Sequence, residues 1–273
     1  MIALLSLLAC AQQPARDVPV AVNQWVWTKA DVPLLASLRA THPTAVAGVH
    51  VATIRYGAMD AANPGEDPAA VHVDLGLPPT AVPAPVALVI RIDDSVNAAW
   101  DADPGLVADL GDALGRILAL ARTREVGWSE VQIDYDVPVR RLPEWAAALS
   151  ALQRGSLAGE TVWVTSLVSH LRAPRYGELM RPLVAGDIVQ VFDTGDNAVA
   201  ASAIASLANA TAVPWRLGVG AFERVHGDGT VATSHRAWFS SLDTACPAPL
   251  CTAVWVFPGG EPYADLLPAA PGR

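Results

Sequence analysis

Several familiar signals are missing from this sequence. Lysine is nearly absent: Lys29 is the only one, so the 18 basic residues are almost all arginine, set against 27 acidic ones. The net charge of −9 leaves little room for a basic patch, which argues against nucleic acid or an anionic lipid surface as a partner. Only 16% of residues are charged and 52% are hydrophobic, which excludes a disordered chain and supplies a sizeable core. No apolar run reaches about 18 residues, so no transmembrane helix is expected. Gly-x-Gly-x-x-Gly does not follow the first strand, Gly-x-Ser-x-Gly is missing, and none of the six histidines forms a His-x-x-x-His pair. Dinucleotide binding, a nucleophile elbow and a helical zinc site have no support, and neither cofactor nor metal is implied.

Cysteine is scarce too, with three in the chain. Cys10 closes the apolar stretch Met1-Ile-Ala-Leu-Leu-Ser-Leu-Leu-Ala-Cys10, which resembles a bacterial lipoprotein signal, although no basic residue precedes it. On that reading residues 1–9 are removed, Cys10 carries the lipid, and residues 10–21 form a tether. The chain is then expected in the cell envelope, on the membrane through its lipid anchor only. Cys246 and Cys251 flank a Pro-rich loop, and a disulfide between them suits an oxidising compartment.

Short Val/Ile/Leu-rich runs recur along the chain, and most of them alternate with helical patterns. Strands are expected at 22–27, 46–54, 86–93, 131–136, 161–167, 187–192, 215–222 and 253–257. Helices are expected at 33–39, 103–122, 143–153, 176–184, 198–209 and 234–242. The clearest carries Leu106, Leu110, Leu114, Ile117, Leu118 and Ala121 on one stripe. Near-continuous apolar strands suit a parallel sheet covered on both faces. Eight such units predict an α/β fold of one domain, a (β/α)8 TIM-type barrel over 22–260, with a loose tail at 261–273. The stretch between the second and third strands, 57–85, is too long for an ordinary connection. Within it 71–75 alternates and is expected to add an edge strand or hairpin.

The fourth strand carries the most informative residues. In Gln132-Ile133-Asp134-Tyr135-Asp136 alternation puts Gln132, Asp134 and Asp136 on one face and Ile133 and Tyr135 on the other. Two carboxylates about 6.6–7 Å apart along a strand can divide acid, base and electrostatic roles. Barrel sites form at the C-terminal strand ends. There the chain places Arg55, Asp93, Thr165, Gln190 and Asp193, with Glu223 just after the seventh strand. Trp27, Tyr135 and Trp255 are candidate platforms for an apolar sugar face.

The Asp134-Tyr135-Asp136 motif resembles the barrel glycosidases related to family-18 chitinases, which carry Asp-x-Asp-x-Glu on the fourth strand and a Trp on the eighth. Trp255 matches that Trp, but Pro138 stands where the proton-donating Glu would be. Gln132 to Asp136, Arg141-Leu142, Thr165-Ser166-Leu167 and Val189-Gln190-Val191 are similar to an uncharacterised bacterial family, domain-of-unknown-function family 3142.

These resemblances imply a glycoside-hydrolase-like barrel that takes carbohydrate or another polar small molecule. If it cleaves glycosidic bonds, Asp134 and Asp136 are the expected pair, with Glu223 or Asp193 replacing the missing acid. The alternative is a non-catalytic glycan-binding or scaffold protein on the same fold, and the missing Glu is what motivates it.

Overall fold

The structure is a computed structural model. It describes residues 20–57, 69–125, 127–192, 201–225, 231–233, 235–247 and 251–268. Cys10, Asp193, the signal segment and nearly all of the tether lie outside the described residues.

Eight parallel strands close into a barrel: β1 (Ala21–Val26), β2 (Ala47–Tyr56), β3 (Val86–Ile92), β4 (Val131–Tyr135), β5 (Val162–Leu167), β6 (Gly186–Gln190), β7 (Trp215–Ala221) and β8 (Cys251–Pro258). Each pairs with its neighbour in sequence, and β1 closes the ring by pairing with both β8 and β2. The expected (β/α)8 architecture is the observed one. Helices return the chain along the outside, because parallel strands need crossovers and the apolar outer face needs cover.

The seam between β1 and β2 explains the long insertion. β1 pairs only with the first part of β2, matching Gln24–Val26 to Ala47–Val49. Strand Val71–Leu75 pairs antiparallel with the remainder, Ala52 to Tyr56. One edge of β2 is thus shared lengthwise by two partners. A register irregularity between His50 and Ala52 separates the two zones.

The expected helix over 103–122 is a single helix that starts three residues later, and a separate short helix precedes it. The chain forms α1 (Val32–Thr41), then α2 (Val96–Ala102) and α3 (Leu106–Arg122). Asp103 Oδ1 accepts from Gly105 N–H at 2.7 Å, a local turn that breaks the run. The predicted α3 stripe is fully buried, and each large side chain there contributes about 1.5–3 kcal/mol relative to exposure. Later come α4 (Leu142–Arg154), with Pro143 in its first turn, the short α5 (Val168–Leu171) and α6 (Tyr176–Met180), and α7 (Ala201–Thr211).

The core has two layers. Between sheet and helices lies a large aliphatic layer. Inside the ring lies a smaller one built on Trp25, Val89, Trp163, Ile188, Trp255 and Phe257. The C-terminal segment, expected to be loose, packs back in part. Tyr263 and Leu267 are buried: the turn between them packs on α1, and the Tyr263 hydroxyl donates to Gln24 Oε1 on β1 at 2.5 Å. Cys246 and Cys251 form a disulfide, with Cα atoms 5.1 Å apart.

Candidate functional site

Alternation along β4 aims Gln132, Asp134 and Asp136 into the barrel. Asp134 is the hub of the C-terminal end. Its Oδ1 accepts from Thr165 Oγ1 and Gln190 Nε2, both at 3.0 Å, and its Oδ2 accepts from Arg91 Nη1 at 3.1 Å. Three neighbouring strands therefore each supply one donor. The Thr165 hydroxyl itself accepts Tyr135 N–H at 3.1 Å, which leaves its proton for Asp134. Burial pushes the Asp134 carboxyl above its ordinary value; the Arg91 charge and the Thr165 and Gln190 bonds oppose that shift.

Above this hub opens a cavity of about 360 Å³, within the range of small-ligand sites. One wall is polar: Arg91, Asp134, Asp136 and Gln190. The opposite wall is an arc of aromatic rings. Trp27 lies 5.4 Å from Trp25, Trp25 lies 3.9 Å from Phe257, Phe257 lies 4.5 Å from Phe192, and Phe192 lies 5.5 Å from Phe222. Glycines make room for these rings. A Cβ on Gly48 would sit 2.6 Å from Trp25 Cδ1, and one on Gly220 would sit 2.6 Å from Phe222 Cζ.

Local bonds set the rim. Asp31 Oδ2 accepts the backbone N–H of Trp27 at 2.9 Å and of Thr28 at 2.8 Å, which pins the exit of β1. His50 lies 4.3 Å from the Trp27 ring and bonds Thr53 Oγ1 at 2.9 Å. Burial, aided by the Arg91 charge and opposed by a backbone bond at Ala52, lowers its imidazole to about 4, so it is neutral at physiological pH.

The structure gathers some of the expected residues and disperses others. Trp27, Asp134, Asp136 and Gln190 line the cavity, and Thr165 braces it from beneath. Tyr135 points the other way. It shares a strand with Asp134 and Asp136 but sits at the intervening position, so it faces the helices. There its hydroxyl accepts from Trp100 Nε1 at 2.8 Å and donates to Asn97 Oδ1 at 2.7 Å, and burial pushes it up to about 12. Trp255 faces inward but lies deeper, almost fully buried against Gly48.

Arg55 is turned to the seam, where it donates to Asp74 Oδ2 at 2.8 Å on the inserted strand. Asp93 accepts Ser95 N–H at 2.9 Å at the start of α2. Burial would raise that carboxyl, but the Ser95 bonds and the charges of Arg91 and Arg55 outweigh it and hold it low. Glu223 is exposed beyond β7 and does not line the cavity.

Arg91 and Trp25 line the cavity without having been singled out in the sequence. Arg91 carried a signal: it is the one charge inside the run Val86–Ile92, on the face shared by Ala87 and Val89. Among the described residues, no three His, Cys, Asp or Glu side chains group as a metal site would require.

No family model and no curated protein matches the sequence. The resemblance to domain-of-unknown-function family 3142 therefore rests on its motifs alone. The fold is similar to that in the crystal structure of the Bacillus cereus spore cortex-lytic enzyme SleL, with a TM-score of 0.52 and 12% sequence identity. The similarity covers 84% of this chain and 58% of that one, so the chain spans less than two thirds of its neighbour. At that identity the likeness is one of fold: a β/α barrel of the kind found in that enzyme.

Proposed function

We propose that the barrel mouth binds carbohydrate. The observation that carries this reading is the two-sided cavity, with a contiguous aromatic arc facing Arg91, Asp136 and Gln190. A sugar ring has the matching polarity: an apolar C–H face for stacking and a rim of hydroxyls for hydrogen bonds. Asp136, half-buried at the strand exit, accepts from ligand hydroxyls. The Arg91 guanidinium spends one N–H on Asp134 and makes no other hydrogen bond among the described residues, so it has donors left for the ligand. The neighbour is a cortex-lytic enzyme by name, which agrees with a sugar polymer as ligand without identifying one.

Glycosidic hydrolysis is the second reading, favoured by the stacked pair Asp134 and Asp136. Asp134 already accepts from three donors, which suits an electrostatic role better than proton transfer. Asp136 would then be the reacting carboxyl, with a second acid, for which Asp193 is the candidate left by the sequence, standing in for the one that Pro138 cannot supply. A lipid on Cys10 would hold the barrel at the cell envelope.

The test is calorimetric titration of the full chain with oligosaccharides of N-acetylglucosamine, glucose and xylose, two to six units long. Saturable binding to at least one series is expected, weakened about tenfold or more, roughly 1.4 kcal/mol, by Trp27→Ala. Absence of binding, or binding indifferent to Trp27→Ala and Asp136→Asn, overturns the reading. Release of shorter products on long incubation, abolished in folded Asp136→Asn, would select hydrolysis over binding alone.

A further inference from the structure

The deepest ring of the aromatic arc is tied to the far end of the barrel by an unbroken run of side chains. Trp25 lines the cavity and donates its Nε1–H to Gln132 Oε1 at 2.7 Å. Gln132 donates through Nε2 to Glu130 Oε1 at 2.7 Å. Glu130 is clasped by Arg216, with Nη1 on Oε1 and Nη2 on Oε2, the latter at 2.8 Å. The Arg216 guanidinium lies 3.5 Å over the Trp163 ring, at the N-terminal ends of β5 and β7. Trp25, Gln132 and Glu130 are all buried, so solvent does not stand in for any link.

The polarity of this run matters more than its length. A primary amide has nearly the same shape either way round, so its own packing does not choose which end faces Trp25. Its far partner does. Glu130, paired with Arg216, can only accept, so it takes the Nε2 end and leaves Oε1 for the indole, which can only donate. Without that bias the amide NH2 could face the indole N–H, and two buried donors would oppose each other, at a cost of about 1–3 kcal/mol.

We propose that Glu130 and Arg216 are positioning residues for the ligand platform: by orienting the Gln132 amide they set the Trp25 indole, and with it the aromatic arc. The geometric part stands alone; its consequence for ligand rests on the carbohydrate reading.

The experiment reads the indole ¹H–¹⁵N resonance of Trp25 in the full chain, assigned by its loss in Trp25→Phe. In the parent, that proton is expected to exchange with solvent far more slowly than an exposed indole; exchange as fast as an exposed indole would overturn the proposal. Glu130→Gln keeps the side-chain shape, and Gln132→Met removes the link while leaving the Arg216–Glu130 pair in place. Both should move the Trp25 resonance and leave those of Trp100, Trp128 and Trp145, outside the ring, in place. An unmoved Trp25 resonance in either folded variant would sink it. An N-acetylglucosamine tetrasaccharide is the probe for the second readout, with affinity expected to fall about fivefold or more in both variants. A shifted indole in a chain whose parent binds no saccharide would leave the positioning intact and fail only the carbohydrate reading.

Discussion

Arg91 and Asp134 are register partners on adjacent parallel strands, and Nη1 of one meets Oδ2 of the other at 3.1 Å. The arginine side chain is about a third exposed, at 34%, while the carboxylate is buried, at 3%. The pair therefore joins the mouth to the interior. Its cation belongs to the cavity wall, and its anion is held from below by Thr165 and Gln190.

Arg91→Ala should destabilise the fold more in alkali than in acid. Asp134 already lies above its ordinary value in the native state, and losing Arg91 raises it further. A native group that holds its proton more tightly than the unfolded chain loses stability as pH rises past the unfolded value. Breaking a fully buried pair costs about 3–5 kcal/mol. Water at the exposed arginine position should reduce this to about 1–3 kcal/mol. Urea denaturation at about pH 4 and about pH 8 checks both sign and size, and equal losses at the two values would refute the account.

Gly48→Ala should lower stability by about 1–3 kcal/mol through overpacking. The added Cβ would fall 2.6 Å from Trp25 Cδ1 and 2.8 Å from Trp255 Cζ3, and both rings are buried. A melting temperature unchanged from the parent would show that the rings can move aside.

Asp187→Asn should flatten the pH dependence of stability. Asp187 is fully buried on the outer face of β6, with Oδ1 accepting from Tyr176 Oη at 3.1 Å and, among the described residues, no hydrogen-bond partner on Oδ2. Burial raises its carboxyl from 3.8 to about 7, with the Tyr176 bond opposing. Stability from this group is full below the unfolded value and is lost as pH rises from about 4 towards about 7. The loss amounts to roughly 4 kcal/mol at most. The amide has no such titration, so the parent and variant curves should converge in acid and separate with the variant ahead near pH 8. Urea midpoints across that window are the measurement, and parallel curves would count against it.

Replacing Cys246 and Cys251 together by Ser should cost about 2 kcal/mol, because their disulfide closes a short loop. That corresponds to a melting temperature lower by about 4–8 °C for a domain of this size. A reductant should reproduce the shift in the parent and leave the double variant unchanged.

Much of this site was legible before any coordinates. Alternation in β4 alone determines that Asp134 and Asp136 share a face and that Tyr135 does not. The motif suggests Tyr135 as a ligand contact, but the pleat turns it to the helices. Arg55 was harder to place, because the register irregularity after His50 and the pairing of Val71–Leu75 with β2 turn its guanidinium to the seam. Neither leaves a clear trace in a single sequence.

The chain by itself determines the number and order of its strands, the inward face of the paired aspartates, and the short loop that its two late cysteines can clip. These follow from rules that act over a few residues: apolar runs, a two-residue side-chain period, and loop length. The aromatic arc and the donors on Asp134 were decided by closure of the ring. Trp25 and Phe257 lie on β1 and β8, and Phe192 and Phe222 lie just past β6 and β7, so the four are spread over the chain. What they share is the strand tilt and stagger that bring their ends to one mouth, and those arise only when β1 pairs with β8 and the sheet loses its edges.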